Sequence, residues 1–292
     1  MSKPLTYFLE RRREEPDWII PGLLKRQNSL FLVGIPKKAV KSWLLFNLAW
    51  DLSEGKPVWG IENTKTGFLF KPKKPMRVIF FTQEDTEDDL HDRYALMSSS
   101  GRKPNENLWY VQKDLTMCFD NEKGIEKIDS HLQEASPVDL VIFDPFRRMH
   151  YASENDSEVI AKLWKIVSVI CKEYNCSVMF SHHIVKPPRG SVNRVGYDEA
   201  DPMNARGSGD IYGGADSFIT VVPKNTRGNP ELSLHQEVSL SFQTKRGRPL
   251  PKVSLSVSFE TGLVTFNHFG SGRPKEELSV ARLPSYQSVK SQ

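Results

Sequence analysis

Four short apolar runs are the feature that most limits how this chain can fold. They cover residues 29–33, 77–82, 138–143 and 177–181. Near-continuous apolar runs of about five or six residues are typical of parallel strands that are covered on both faces, whereas half-exposed strands alternate apolar with polar residues. Helical spacing follows in the segments 43–52, 86–98, 124–135 and 157–174, and residues 108–111 form a further short strand candidate. This pattern predicts an α/β fold with a mainly parallel sheet.

From residue 217 onward the pattern changes to strand-like runs that are joined by turns. The predicted strands cover residues 218–222, 237–243, 253–259 and 263–267. We expect them to extend the sheet as antiparallel hairpins. Residues 186–204 are rich in Pro, Gly, Asn and charge, and we expect a long mobile loop there. We therefore predict one domain over 18–269, an N-terminal arm over 1–17 and a disordered tail over 270–292.

The composition excludes several classes of protein. No window approaches the ~18 consecutive apolar residues of a membrane helix, and the charged first 15 residues do not resemble a signal peptide, so we expect a cytoplasmic protein with no membrane partner. Cys118, Cys171 and Cys176 form no CxxC pair, which predicts neither a disulfide framework nor a zinc site. A net charge of +4 is only a weak indication of a nucleic-acid partner.

The loop after the first apolar run leads directly into a helix and reads GIPKKAVKS over residues 34–42. A phosphate-binding loop combines backbone N–H groups at a helix N-terminus with a lysine and with a hydroxyl group for Mg²⁺, and Lys41 and Ser42 would supply the last two. The common pattern GxxxxGK[ST] would place glycine at Ile35 and Val40, and both glycines are missing. Since side chains restrict positive φ, we expect a wider or differently curled loop. Taken alone, the loop has a plainer alternative: an ordinary strand–loop–helix connection in which Lys-Ser occurs by chance. The candidate nucleotide-binding residues are Lys38, Ala39, Val40, Lys41, Ser42 and Trp43.

Polar side chains also follow the other apolar runs. Glu84 follows the second run, Asp144 follows the third in the manner of a Walker B acid, and His182 and His183 follow the fourth. Parallel strands deliver such residues to one edge of the sheet, where open α/β sheets bind their ligands. A helix N-cap near Glu84 and purely structural histidines are the plainer alternatives. Together with the Lys-Ser loop, these strand ends predict a site for ATP and Mg²⁺, with Ser42 and Asp144 as the metal-binding residues.

The order of these segments resembles the RepA-type ATPases of the RecA superfamily, which are hexameric replicative helicases of plasmids, phages and other mobile elements. The resemblance covers roughly residues 18–266. It rests on the Lys-Ser loop, QED at 83–85, IFDPFRR at 142–148, SENDSE at 153–158, the paired histidines, ARGSGD at 205–210 and GGADS at 213–217.

The resemblance implies a RecA-like P-loop NTPase core with a C-terminal antiparallel extension over 217–269. It also implies that Glu84 is the catalytic base, that His183 senses the γ-phosphate, and that Arg206 is an arginine finger for a neighbouring subunit. Lys245 and Arg246 form a rival finger or a solvated turn.

In RecA-like rings the loops after the Walker B strand and after the sensor strand face the central channel. The resemblance therefore implies contacts to single-stranded DNA from Arg147, Arg148, Lys186, Arg189 and Arg194. A solvated loop is the alternative, because acidic residues offset most of the positive charge of the second loop.

The implied function is that of an ATP-hydrolysing helicase or translocase that works as a homo-oligomer, a hexamer in that family. Two alternatives stay open: a recombination or defence ATPase that binds DNA without unwinding it, and a non-hydrolysing interaction module with a degenerate phosphate loop.

Overall fold

A computed structural model describes residues 3–10, 15–36, 40–63, 68–184, 200–205, 209–224, 234–245 and 250–270. The helices are α1 (Leu5–Glu10), α2 (Lys41–Ser53), α3 (Glu87–Ser99), α4 (Glu122–Glu134), α5 (Ser157–Glu173) and α6 (Gly209–Gly214). The strands are β1 (Trp18–Ile20), β2 (Leu24–Lys25), β3 (Ser29–Gly34), β4 (Glu62–Asn63), β5 (Phe68–Leu69), β6 (Val78–Thr82), β7 (Leu108–Val111), β8 (Leu140–Asp144), β9 (Ser177–His183), β10 (Ser217–Pro223), β11 (His235–Thr244), β12 (Val253–Ser258) and β13 (Val264–Phe269). Within these residues no helix is both long enough and apolar enough to span a lipid bilayer.

The described residues form a nine-stranded sheet with the order β13-β12-β11-β10-β3-β9-β8-β6-β7. The strands from β10 to β7 in this order are mutually parallel, whereas β11, β12 and β13 are antiparallel to their neighbours. Two short hairpins, β1–β2 and β4–β5, lie outside this sheet. The predicted α/β class with a mainly parallel sheet is therefore confirmed.

Both faces of the parallel strands are buried, as the continuous apolar runs predict. In β3, Leu30 and Leu32 belong to an apolar cluster that contains residues of α2 and α3, while Phe31 and Val33 belong to a second cluster that contains residues of α4 and α5. Successive side chains of a strand point to opposite faces, so an amphipathic strand could not serve both layers. The sheet is thus the middle layer between two helical layers.

Two sequence expectations need correction, at the end of β9 and at the start of α4. His182 and His183 lie inside β9 rather than after it, because Val33 and Gly34 of β3 continue to pair with them. Helix α4 begins two residues earlier than expected, since Asn121 accepts a hydrogen bond from the backbone N–H of Gly124 and caps the helix. The predicted antiparallel extension is confirmed by the β10–β11, β11–β12 and β12–β13 pairings, and β10 joins it to the parallel part of the sheet by pairing parallel to β3, which the sequence pattern did not predict.

Other expectations fall partly outside the described residues. The predicted arm contains α1, whose Leu5 is 75% exposed. Most of the predicted mobile loop and residues 271–292 of the predicted tail lie outside the described residues.

The buried Asn47 ties α2 to the C-terminal β extension. Its side-chain amide donates to the carbonyl oxygens of Trp43 (2.9 Å) and Gly262 (2.8 Å), and its Oδ1 accepts from the backbone N–H of Val264 (3.1 Å). Gly262 has φ +66°, and a Cβ there would come within 2.8 Å of the Trp43 ring. The extension therefore supports the helix that begins at Lys41.

We predict that Asn47→Ala lowers the free energy of unfolding by about 2–4 kcal/mol, because it leaves buried backbone groups without partners. Urea denaturation measures this loss. Asn267→Ala is the control, because Asn267 is exposed and its side chain donates to Ser256 Oγ at 2.8 Å, so we expect a change within about 0.5 kcal/mol. Equal losses in the two variants would contradict the role of Asn47.

Candidate nucleotide-binding site

The strand order brings the predicted site residues to one edge of the sheet. Strands β3, β9, β8 and β6 are adjacent and parallel, so their carboxyl ends lie side by side. Gly34, His183 and Asp144 are the last residues of three of these strands, and Glu84 follows the fourth by two residues. Helix α2, with Lys41 as its first residue, begins at the same edge.

Lys41 is the most constrained charged group of the site. Its side chain is buried, and Nζ lies 3.3 Å from the Gly34 carbonyl oxygen and 3.2 Å from His183 Nδ1. Burial lowers the pKa of Lys41 to about 8, while the nearby charges of Asp144 and Glu84 act in the opposite direction. An anion bound next to Nζ would favour the charged form and raise this pKa.

Val40 adopts a left-handed backbone conformation, which is the conformation that glycine tolerates most easily. Val40 has φ 44° and ψ 33°, a left-handed conformation, and it precedes the first turn of α2. Val40 therefore adopts a positive φ despite its side chain, and the wider or differently curled loop stays a prediction because residues 37–39 lie outside the described residues. The partly buried Val40 packs against the apolar cluster under α2, which helps to hold this conformation. Lys38 and Ala39 lie outside the described residues.

Asp144 and Ser42 supply oxygen atoms of the type that Mg²⁺ prefers. Asp144 is 5% exposed, and its carboxylate accepts a short hydrogen bond from the Ser181 hydroxyl. Ser42 is the second residue of α2, beside Lys41. The described residues contain no cluster of three or more His, Cys, Asp or Glu that could hold a metal by itself. A donor set of this kind fits Mg²⁺, which usually keeps several waters and shares phosphate oxygens.

The Glu84 carboxylate neither caps α3 nor pairs with Arg93, because the neighbouring residues Thr86 and Asp85 do so. Thr86 caps α3, accepting from the backbone N–H of Asp89, and Asp85 pairs with Arg93 at 2.9 Å. The capping alternative therefore applies to Thr86, while the Glu84 side chain is 54% exposed. Partial burial and the charge of Asp144 raise the pKa of Glu84. Arg148 Nε lies 4.0 Å from Glu84 Oε1.

The other candidates have more varied surroundings. Arg147 donates to the carbonyl oxygen of His150 at 3.0 Å, and Lys245 donates to that of Gly213. The Trp43 ring lies 5.1 Å from the Arg93 guanidinium carbon. Lys186, Arg189, Arg194, Arg206 and Arg246 lie outside the described residues.

Sequence reasoning missed two contacts of the site. It assigned no role to Ser181, although a hydroxyl near the end of an apolar run is a usable signal. It also did not pair Arg148 with Glu84, because the two residues lie on separate segments that only the neighbouring strands β6 and β8 bring together.

The fold and the edge residues define a P-loop NTPase of the RecA-like α/β type. A family model described as an AAA domain matches residues 3–189, which is more than half of the chain. The chain belongs to this AAA domain family. A P-loop domain of this kind implies nucleotide binding, usually with Mg²⁺.

We predict that Val40→Gly is more stable than Val40→Ala by about 1 kcal/mol, because both remove the isopropyl group but only glycine relieves the left-handed conformation. Urea denaturation of the pair measures the difference. At Ile35, a described residue whose φ is not positive, the same pair should reverse, with alanine the more stable. An alanine variant at position 40 as stable as the glycine variant would contradict the argument.

Proposed function

We propose that this protein is an ATP-hydrolysing, ring-forming helicase or translocase on single-stranded DNA, of the type used in replication of mobile elements. The observation that carries the proposal is the convergence of Lys41, Glu84, Asp144 and His183 at one sheet edge, with Lys41 Nζ 3.2 Å from His183 Nδ1. The resemblance to RepA-type ATPases, which is finer than the family match, supplies the helicase part.

Each residue has a distinct task in this proposal. Lys41 binds the phosphates, since a desolvated ammonium group gains most from an anionic partner. Ser42 and Asp144 hold Mg²⁺, which neutralises charge on the phosphate oxygens when bound. Glu84 accepts the proton of the attacking water, because Pro145 follows Asp144 and cannot act as a base. The raised pKa of Glu84 suits a group that must take up a proton.

A contact between Arg148 and Glu84 supports coupling to nucleic acid. Arg148 is a candidate phosphate-backbone contact, and it lies 4.0 Å from the candidate base. Both side chains are 54% exposed, so the ion pair is weak and easily exchanged for a nucleic-acid phosphate. Binding of single-stranded DNA to Arg148 would thereby change the surroundings of Glu84.

Assembly follows from the resemblance alone. Arg206 would stabilise the transferring phosphoryl group of a neighbouring subunit, an effect of about 10³–10⁵ in rate when an arginine is supplied in this way. Of the rival pair, Lys245 donates to a carbonyl oxygen of its own chain, and Arg246 stays an alternative finger.

We predict that Glu84→Gln keeps MgATP binding and loses about 10²–10⁴-fold in turnover, because the amide keeps the shape of the side chain but cannot accept the proton. Steady-state ATPase assays with and without single-stranded DNA measure the loss. Glu87→Gln is the matched control, since Glu87 is an exposed residue in the first turn of α3.

Several results would contradict the proposal. A Glu84→Gln protein that hydrolyses ATP at the wild-type rate would remove Glu84 as the base. A wild-type ATPase that single-stranded DNA does not stimulate would exclude a translocase, and activity without strand displacement on forked DNA would exclude a helicase.

A further inference from the structure

The segment Ser153 to Glu158 has no role in the proposed function, although it is one of the segments on which the resemblance rests. Asp156 explains part of it, because its carboxylate accepts from the backbone N–H groups of Glu158 (3.0 Å) and Val159 (3.3 Å) and caps α5. Glu154 is different, since it is only 6% exposed and lies in the loop between β8 and α5. A buried carboxylate is costly unless it has partners.

Two buried histidines lie near the Glu154 carboxylate, and one of them, His182, is in the last part of β9. The pairing of β9 with β8 ends at Phe180, opposite Phe143, whereas the pairing with β3 continues to His183. After Phe180, the backbone of β9 no longer pairs with β8, and side chains connect the end of β9 to the end of β8 and to the segment that follows it. Ser181 donates to Asp144, and His182 Nδ1 lies 3.8 Å from Glu154 Oε1, which is within ion-pair reach but longer than a hydrogen bond.

His182 and His183 are consecutive residues of β9, so their side chains leave the backbone toward opposite faces, but at this strand end their ring centroids are only 6.5 Å apart. The His182 ring packs against Phe31 and Phe146, with centroids 6.1 Å and 5.6 Å apart, in the layer that contains α5. The His183 ring contacts Lys41 on the nucleotide face. A contact that holds His182 therefore also limits where the backbone can place His183.

The loop that carries Glu154 is itself held in place. Glu154 Oε1 also lies 3.8 Å from Nε2 of the buried His150, whose Nδ1 lies 3.2 Å from the Ala152 carbonyl oxygen. Asp120 accepts from the backbone N–H groups of Tyr151 and Ala152. These contacts fix the loop, and the loop in turn fixes the position of the Glu154 carboxylate near His182.

We propose that Glu154 is a positioning residue for His183: by contacting His182 on one face of β9, it holds His183 against Lys41 on the other face. The part of this inference that concerns turnover rests on the proposed function, because it takes His183 as the γ-phosphate sensor. The positional part concerns only the described side chains.

The test uses Glu154→Gln, which keeps the size of the side chain but removes its charge, and Glu154→Asp, which keeps the charge but shortens the reach. Asp120→Asn is the matched control, because Asp120 holds the same loop through the backbone N–H groups of Tyr151 and Ala152, and none of its hydrogen bonds among the described residues is to β9. Long-range ¹H–¹⁵N spectra of the histidine rings, recorded on the full chain without nucleotide and assigned with His183→Gln, report the His183 surroundings. Urea denaturation identifies which variants fold.

We expect both Glu154 variants to shift the His182 and His183 ring resonances, and Asp120→Asn to leave the His183 resonances in place at a similar loss of stability. In ATPase assays, turnover should fall while KM for ATP changes little, since a small misplacement of a reacting group can cost on the order of 10²-fold.

Unchanged His183 resonances in a folded Glu154 variant would overturn the inference, even if the protein were destabilised. If Glu154→Gln does not fold, Glu154→Asp decides by the same criterion. A wild-type chain that binds no MgATP would instead overturn the proposed function, and the spectra would still decide whether Glu154 positions His183.

Discussion

A buried lysine at the start of α2 is the constraint on which the rest of the structure depends. Desolvation disfavours the Lys41 cation, yet the chain places the ammonium group among carbonyl oxygens at the end of β3 and near the carboxylates of Asp144 and Glu84. These partners come from strands that are far apart in the sequence. The sheet order therefore brings together the groups that offset the cost of burying the lysine charge.

The edge of the sheet is held by side chains where backbone pairing ends. Ser181 contacts Asp144, His183 contacts Lys41, and His182 lies near Glu154 on the opposite face. Each of these contacts joins two segments that also carry candidate catalytic or nucleic-acid residues.

The sequence predicted the parallel strands well because burial on both faces requires a continuous apolar run. It did not predict the polar end of β9 or the parallel direction of β10, since both depend on pairing with β3. Lys41, Asp144 and Glu84 could be found from strand ends alone. Glu154 could not be found in this way, because its neighbour His182 is distant in the sequence. Glutamate side chains are also usually exposed, so nothing in the sequence indicated that Glu154 would be buried. The predicted finger Arg206 lies outside the described residues.

Isothermal titration calorimetry of MgATP tests the central claim, that Lys41 and the adjoining strand ends form a nucleotide site. Bound phosphate favours the charged form of Lys41, whose pKa in the free protein is about 8, so binding must take up protons and weaken as the pH rises past this value. At pH 8, titrations in two buffers of different ionisation enthalpy should show a net uptake of protons in the wild type. Binding should be lost in Lys41→Ala. Equal affinity of the two proteins for MgATP would contradict the account.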